Sequence, residues 1–360
     1  MINFLCWLLV QIAKPETQKK TLTVRLFFVS KSSFDLFINF HPSSVHQSSS
    51  KGEGLFLNKL KSKFLRVMDR KINVFVWDMD ETLILLKSLI TGTYAKAFNG
   101  SKDVQKGIEI GKTWENQILR ICDDYFFYEQ IEGCNKPYID AMREYDDGLD
   151  LTDYDFANDG FVGAAFDDDA NKKKLAYRHR IIAQKYKKGL RSLFGEKMIK
   201  SWDDLYEATD DYTDKWLSSA RACVAQCARG NKDSTAPNSS EAENINVIVT
   251  SGSLIPSLVK CLLFRLDDLI SYDNVYSSWE VGKYKCFSLI KERFNGPNVQ
   301  FCAIGDGWEE CEAAENMQWP FVQIDPAPVS TSHRFPELNL ETLGHYISVI
   351  YGGDSDDEDE

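Results

Sequence analysis

Residues 74–82 read Val74-Phe75-Val76-Trp77-Asp78-Met79-Asp80-Glu81-Thr82, an apolar run that stops at two carboxylates one residue apart and closes on a threonine. A short, unbroken apolar run predicts a strand buried on both faces, as in a parallel sheet. The turn after such a strand lies at the carboxyl edge of the sheet, where open α/β folds bind ligands. Two carboxylates this close repel each other unless a divalent cation neutralises them or one keeps a proton. The stretch therefore points to metal-assisted attack by a carboxylate.

Three further strand candidates follow at 246–249, 299–304 and 321–324. The first stops at Thr250-Ser251-Gly252-Ser253, and a helix opens near Leu254-Ile255-Pro256. That order would put a hydroxyl and free N–H groups at a helix N-terminus, a cradle for phosphate. The second stops at Gly305-Asp306-Gly307, with Glu309 and Glu310 close behind, and Lys283 after Gly282 opens a helical stretch over 283–294. Glu309 and Glu310 read as helix-start acids matching the dipole, Glu310 also being placed to orient a metal-bound water. Asp, Asp, Thr, Lys and Asp, each at the start or end of an element, form a far more specific pattern than Asp-x-Asp alone.

About 150 residues, 89–244, separate the first two strand candidates and carry amphipathic stretches at 114–129, 175–194 and 202–229. Strands alternating with helices predict an α/β fold: a doubly wound parallel sheet with a large helical-bundle cap inserted between the first and second core motifs. The expected division is a core of 68–98 and 245–350, a cap of 99–244 ending in a polar linker at 231–243, and an acidic, disordered tail at 351–360. Residues 1–67 form an N-terminal extension, disordered or targeting. It holds nine serines and ten lysines or arginines but only Glu16, Asp35 and Glu53 as acids, and Met68 is an alternative start.

The net charge of −12 argues against direct nucleic-acid binding, which wants a basic face. Six of those acids sit in the tail from Asp354 to Glu360, leaving about −6 elsewhere. The apolar run at 4–10 is too short to span a bilayer, so no membrane association is expected. Nine scattered cysteines read as reduced core thiols. Cys223 and Arg229 fit the spacing of thiol-based phosphatases, but the five residues between them lack glycine and read as helix. Asp153, Asp155 and Asp159 with Gly160 miss the calcium-loop spacing, since the twelfth position from Asp155 is Phe166.

The order Asp78-x-Asp80-x-Thr82, Thr250, Lys283, Gly305-Asp306-Gly307 resembles the haloacid dehalogenase superfamily of phosphotransferases. More narrowly, the segments 77–82, 88–95, 150–156, 159–161, 174–178, 213–217, 247–250 and 254–256 resemble the catalytic domain of the Eyes absent family, from about residue 72 to about 348. The resemblance implies a Mg²⁺-dependent protein tyrosine phosphatase acting through an aspartyl-phosphate. It makes Asp78 the nucleophile, Asp80 the general acid and base, and Thr250 and Lys283 the phosphate holders. The metal would lie between Asp78, Asp306 and the Asp80 main-chain carbonyl. For its proton-transfer role, Asp80 is expected to hold a proton near neutral pH. Trp308 and Glu309 occupy positions that vary within the family, and Ser251-Gly252 stands where animal relatives tend to carry threonines. Implied partners are a phosphotyrosine protein substrate and transcription or chromatin factors. The implied location is nucleus and/or cytoplasm, or an organelle if residues 1–67 are a transit peptide.

Two alternatives stay open at this level: a phosphatase of small phosphate esters from the same superfamily, and an interaction module for transcription or chromatin partners. The core chemistry does not choose the ester, because a tyrosine leaving group, with a pKa near 10, needs less help from Asp80 than an aliphatic hydroxyl does. Selectivity is expected to come from the insertion.

Overall fold

The computed structural model describes residues 71–163, 168–229 and 243–325. The expectations for 1–67, the linker over 231–242, the core from 326 to 350 and the acidic tail lie outside the described residues.

Five strands form one parallel sheet: β1 (Ile72–Trp77), β2 (Glu243–Thr250), β3 (Val275–Ser277), β4 (Val299–Gly305) and β5 (Phe321–Gln323), in the order β3-β2-β1-β4-β5. β1 is central, which explains why its run is apolar on both sides. Its alternate residues divide between two cores. Val74 and Val76 join Val247, Val249, Phe301, Ala303 and Phe287 on one face, while Phe75 and Trp77 join Ile248, Cys302 and Ile304 on the other. β3 escaped the sequence reading because Val-Tyr-Ser is too short to show a period.

Between β1 and β2 the chain runs through α1 (Leu86–Ile90), α2 (Thr93–Ala97), α3 (Val104–Phe126), α4 (Asp169–Lys188), α5 (Glu196–Tyr212) and α6 (Trp216–Arg229), besides shorter turns of helix. α3 begins ten residues earlier than the amphipathic pattern suggested, because the Asp103 side chain accepts from the Gln105 and Lys106 amides. Asp168 caps α4 through Asn171 N–H in the same way.

The stretch expected as one helix over 202–229 is two. Asp214 and Lys215 adopt left-handed φ of 55° and 64°, Lys215 N–H returns to Asp210 O, and the Asp210 carboxylate accepts from Ser218 N–H at 2.9 Å. A polar Thr-Asp-Lys junction thus ends one helix and caps the next, a local hydrogen-bond solution that hydrophobic periodicity does not reveal. These helices share one continuous apolar cluster with the Phe75/Trp77 face of the sheet. The other face is covered by α8 (Lys283–Arg293) and α9 (Trp308–Met317), while α7 (Leu254–Leu263) packs on α3.

Inside the insertion, Arg178 is almost fully buried. It donates to Asp159, to Gln130 Oε1 and to Phe156 O, with its guanidinium 4.2 Å from the Phe161 ring centre. Of the acids expected to fail as a calcium loop, Asp155 closes a turn on Ala157 and Asn158 N–H and Asp159 on Phe161 N–H, and the nearby Asp150 does the same on Thr152 N–H. The eight described cysteines are free, six of them buried, and Cys223 lies in the middle of α6. Among the described residues no helix is long and apolar enough to cross a membrane.

Candidate active site

Register brings the three expected strand tips together. Trp77 pairs with Ile248 on one side and Ile304 on the other, so Asp78, Thr250 and Asp306 emerge along one edge. Asp78 continues the ladder by donating its N–H to Ile304 O at 2.8 Å. The chain then turns sharply: Leu83 and Ile84 N–H return to Met79 O, Glu81 takes φ 65°, and its carboxylate accepts from Ser88 N–H.

Asp78 is buried. Lys283 Nζ donates to its Oδ1 at 2.5 Å, and Thr82 Oγ1 lies 3.3 Å from its Oδ2 and 3.1 Å from Asp306 Oδ1. Lys283 therefore sits against Asp78 itself, and its other flank is closed by a contact with the buried Glu310. Glu310 lies in the first turn of α9, as read, and adds to that an ion pair with Lys283. Gly305 and Gly307 make room for this carboxylate, since a Cβ on Gly305 would lie 2.9 Å from Glu310 Cγ and one on Gly307 2.6 Å from Glu310 Oε2. Burial pushes the Asp78 carboxyl up to about 6; Lys283 opposes the rise, and Asp306 and Asp80 add to it. Burial likewise raises Asp306, and the Thr82 hydroxyl works against that.

Asp80 points elsewhere. Both its oxygens bind Lys260 Nζ, at 2.7 and 2.8 Å, and Thr250 Oγ1 lies 3.4 Å from Oδ2. The sequence reading assigned Lys260 no role. It also expected free N–H groups at the start of α7. Two of them are taken, Leu254 N–H by Asn135 Oδ1 of the insertion at 2.8 Å and Gly252 N–H by Thr250 Oγ1 at 3.2 Å. A second tether from the insertion runs from Trp216 Nε1 to Thr82 O at 3.0 Å.

A hard divalent cation fits part of this set. Asp78 and Asp306 converge on one hydroxyl, repel each other, and supply carboxylate oxygens of the type Mg²⁺ takes. Glu310 Oε2 is buried without a hydrogen-bond partner, an acceptor suited to a cation-bound water. Among the described residues no three His, Cys, Asp or Glu side chains cluster closely enough to form a cage alone. The Asp80 side chain turns to Lys260, so only its main-chain carbonyl is left on this side of the turn as a ligand for such an ion.

A family model of haloacid dehalogenase-like hydrolases matches residues 72–318, a span holding every residue of this site. The protein phosphatase EYA of Arabidopsis thaliana is 56% identical over 291 residues, covering 80% of this chain and 94% of the relative. The chain belongs to the Eyes absent family. Human protein phosphatase EYA2 is 33% identical over 294 residues, 77% of this chain and 50% of the relative. The Drosophila melanogaster protein phosphatase eya is 33% identical over 270 residues, 70% of this chain and 33% of the relative. The chain thus spans about half the length of the human Eyes absent relative and a third of the fly one.

Proposed function

We propose that this chain is a Mg²⁺-dependent protein tyrosine phosphatase that transfers the phosphoryl group to Asp78 and then to water. The observation that carries the proposal is the buried Asp78 carboxylate held at 2.5 Å by Lys283 and joined to Asp306 through Thr82 at the carboxyl edge of a parallel sheet. A phosphomonoester dianion repels a carboxylate, so positive charge must be in place before attack. Lys283 provides it from a site closed by Glu310. Bound by Asp78, Asp306 and the Asp80 carbonyl, Mg²⁺ would supply further neutralisation of the phosphoryl oxygens.

Asp78, largely ionised above about pH 6, attacks phosphorus, and the ester oxygen leaves as the aspartyl-phosphate forms. In its protonated form Asp80 gives that oxygen a proton, and as the carboxylate left behind, paired with Lys260, it takes one from the attacking water. Thr250, beside Asp80, holds a phosphoryl oxygen. Support for a protein substrate comes from the rim. Of the seven large apolar side chains exposed among the described residues, Trp279, Val281, Tyr284 and Trp308 lie just after β3 or β4, beside Lys283 and Asp306. Trp279, Tyr284 and Trp308 are 68, 54 and 70% exposed, aromatic side chains of the kind suited to an aryl ester on a polypeptide. Trp279 and Val281 lie between β3 and α8, and Tyr284 and Trp308 in the first turns of α8 and α9, so selectivity is drawn from the core as well as from the insertion.

The test sets phosphotyrosine peptides against sugar phosphates, with and without chelator. The proposal requires chelator-sensitive turnover of the peptides; turnover confined to sugar phosphates would leave the small-ester reading instead.

A further inference from the structure

The ion pair between Lys260 and Asp80 lies beside the proposed chemistry yet belongs to none of the motifs that predicted it. α7 reads Leu254-Ile255-Pro256-Ser257-Leu258-Val259-Lys260-Cys261-Leu262-Leu263, and Lys260 is the only charged residue in it. Its neighbours Leu258, Val259, Cys261 and Leu262 are buried, and its own side chain is only 13% exposed. An ammonium in such a setting is costly unless paired. Asp80 provides the partner with both oxygens, at 2.7 and 2.8 Å, across 180 residues of sequence.

The geometry points to Lys260 as the positioning residue for Asp80, and this inference rests on the acid–base role proposed above for that carboxylate. Asp80 stands on a turn, with two side-chain torsions to fix. One ammonium touching both oxygens restrains both torsions, and the contact of Oδ2 with Thr250 Oγ1 sets the carboxylate at the corner where the phosphoryl group is to be held. α7 is itself anchored, packing on α3 and donating Leu254 N–H to Asn135, so the insertion backs the residue that aims Asp80. Proton transfer depends on that aim, since a donor must lie within hydrogen-bond reach of the leaving oxygen.

Lys260 acting through Asp80 has a signature that a merely structural lysine lacks. The parameter to follow is kcat/KM, which reads the first transfer, over aryl phosphates graded from p-nitrophenyl to unactivated phenyl. Lys260→Met should lower kcat/KM for phenyl phosphate by about 10- to 100-fold but for p-nitrophenyl phosphate by no more than about threefold, because only the poor leaving group needs the proton. In an Asp80→Asn background, adding Lys260→Met should change neither value, and Lys260→Arg should keep most of the wild-type behaviour. Equal losses across the series, no loss, or a further loss in the Asp80→Asn background would each overturn the inference. A thermal melt accompanies each variant; if Lys260→Met does not fold, Lys260→Gln and Lys260→Arg are read by the same criteria. Should Asp80→Asn by itself leave the dependence on leaving group unchanged, the acid role of Asp80 fails, an outcome distinct from a failure of Lys260.

Discussion

Asp78 illustrates how a buried carboxylate opposes the stability of its own fold. Its ordinary carboxyl value of 3.8 rises to about 6 in the folded chain, with burial the leading cause. As pH climbs between those values the unfolded chain gives up a proton that the folded chain keeps. This group therefore lowers stability across the window, by roughly 3 kcal/mol once above it. Asp78→Asn is expected to raise the metal-free unfolding free energy at pH 7.5 by about 1–3 kcal/mol, while kcat falls at least about 1000-fold. A urea titration beside a turnover assay checks both, and a variant less stable than wild type would contradict the account of the site.

His179 works the opposite way at low pH. Burial pushes its imidazole down to about 4, and Nδ1 donates to Ile139 O at 3.0 Å. As pH falls below 6.5 the unfolded chain gains a proton the folded chain refuses until about 4, so stability drains away over that interval. Between pH 7 and 4.5 wild type should lose roughly 2–3 kcal/mol more than His179→Gln, measured by denaturation at the two pH values. Equal losses would show that His179 does not carry the acid sensitivity.

Among the elements, strands with chemistry at their tips were legible and the contacts crossing between segments were not. β1 announced itself through an unbroken apolar run ended by carboxylates, and β4 through Gly305-Asp306-Gly307, because one sequence segment carries both the strand and its functional tip. Thr82 bridging Asp78 to Asp306, Asn135 occupying Leu254 N–H, and Trp216 bonding Thr82 O each join segments distant in sequence. Lys260 left the one usable sign, a single charge inside an otherwise apolar helix. Trp216, the first residue of α6, fixes the carbonyl of the residue whose hydroxyl links the two metal-side carboxylates. Trp216→Phe should cost about 1–3 kcal/mol through the buried acceptor left behind, and should lower kcat more than it raises KM. Wild-type melting and kinetics would show that the tether is dispensable.

The described residues set a parallel sheet between unequal layers. The face bearing Phe75 and Trp77 merges with the insertion in one core, and the opposite face is closed by α8 and α9. The insertion thus grips the turn after Asp78 from one side and leaves the segments beyond β3 and β4 with exposed aromatics. Trp308→Ala and Trp279→Ala are expected to raise KM for a phosphotyrosine peptide by about fivefold each, roughly 1 kcal/mol, and to leave p-nitrophenyl phosphate turnover within about twofold. Unchanged peptide kinetics would remove the rim from substrate binding.

The claim on which all of this turns is that phosphorus becomes bonded to Asp78. Rapid quenching during turnover with Mg²⁺, followed by borohydride reduction, converts an aspartyl-phosphate to homoserine, which peptide mass spectrometry locates. The account predicts homoserine at position 78, absent when Mg²⁺ is withheld; reduction at any other carboxylate, or phosphate retained on a cysteine, would contradict it.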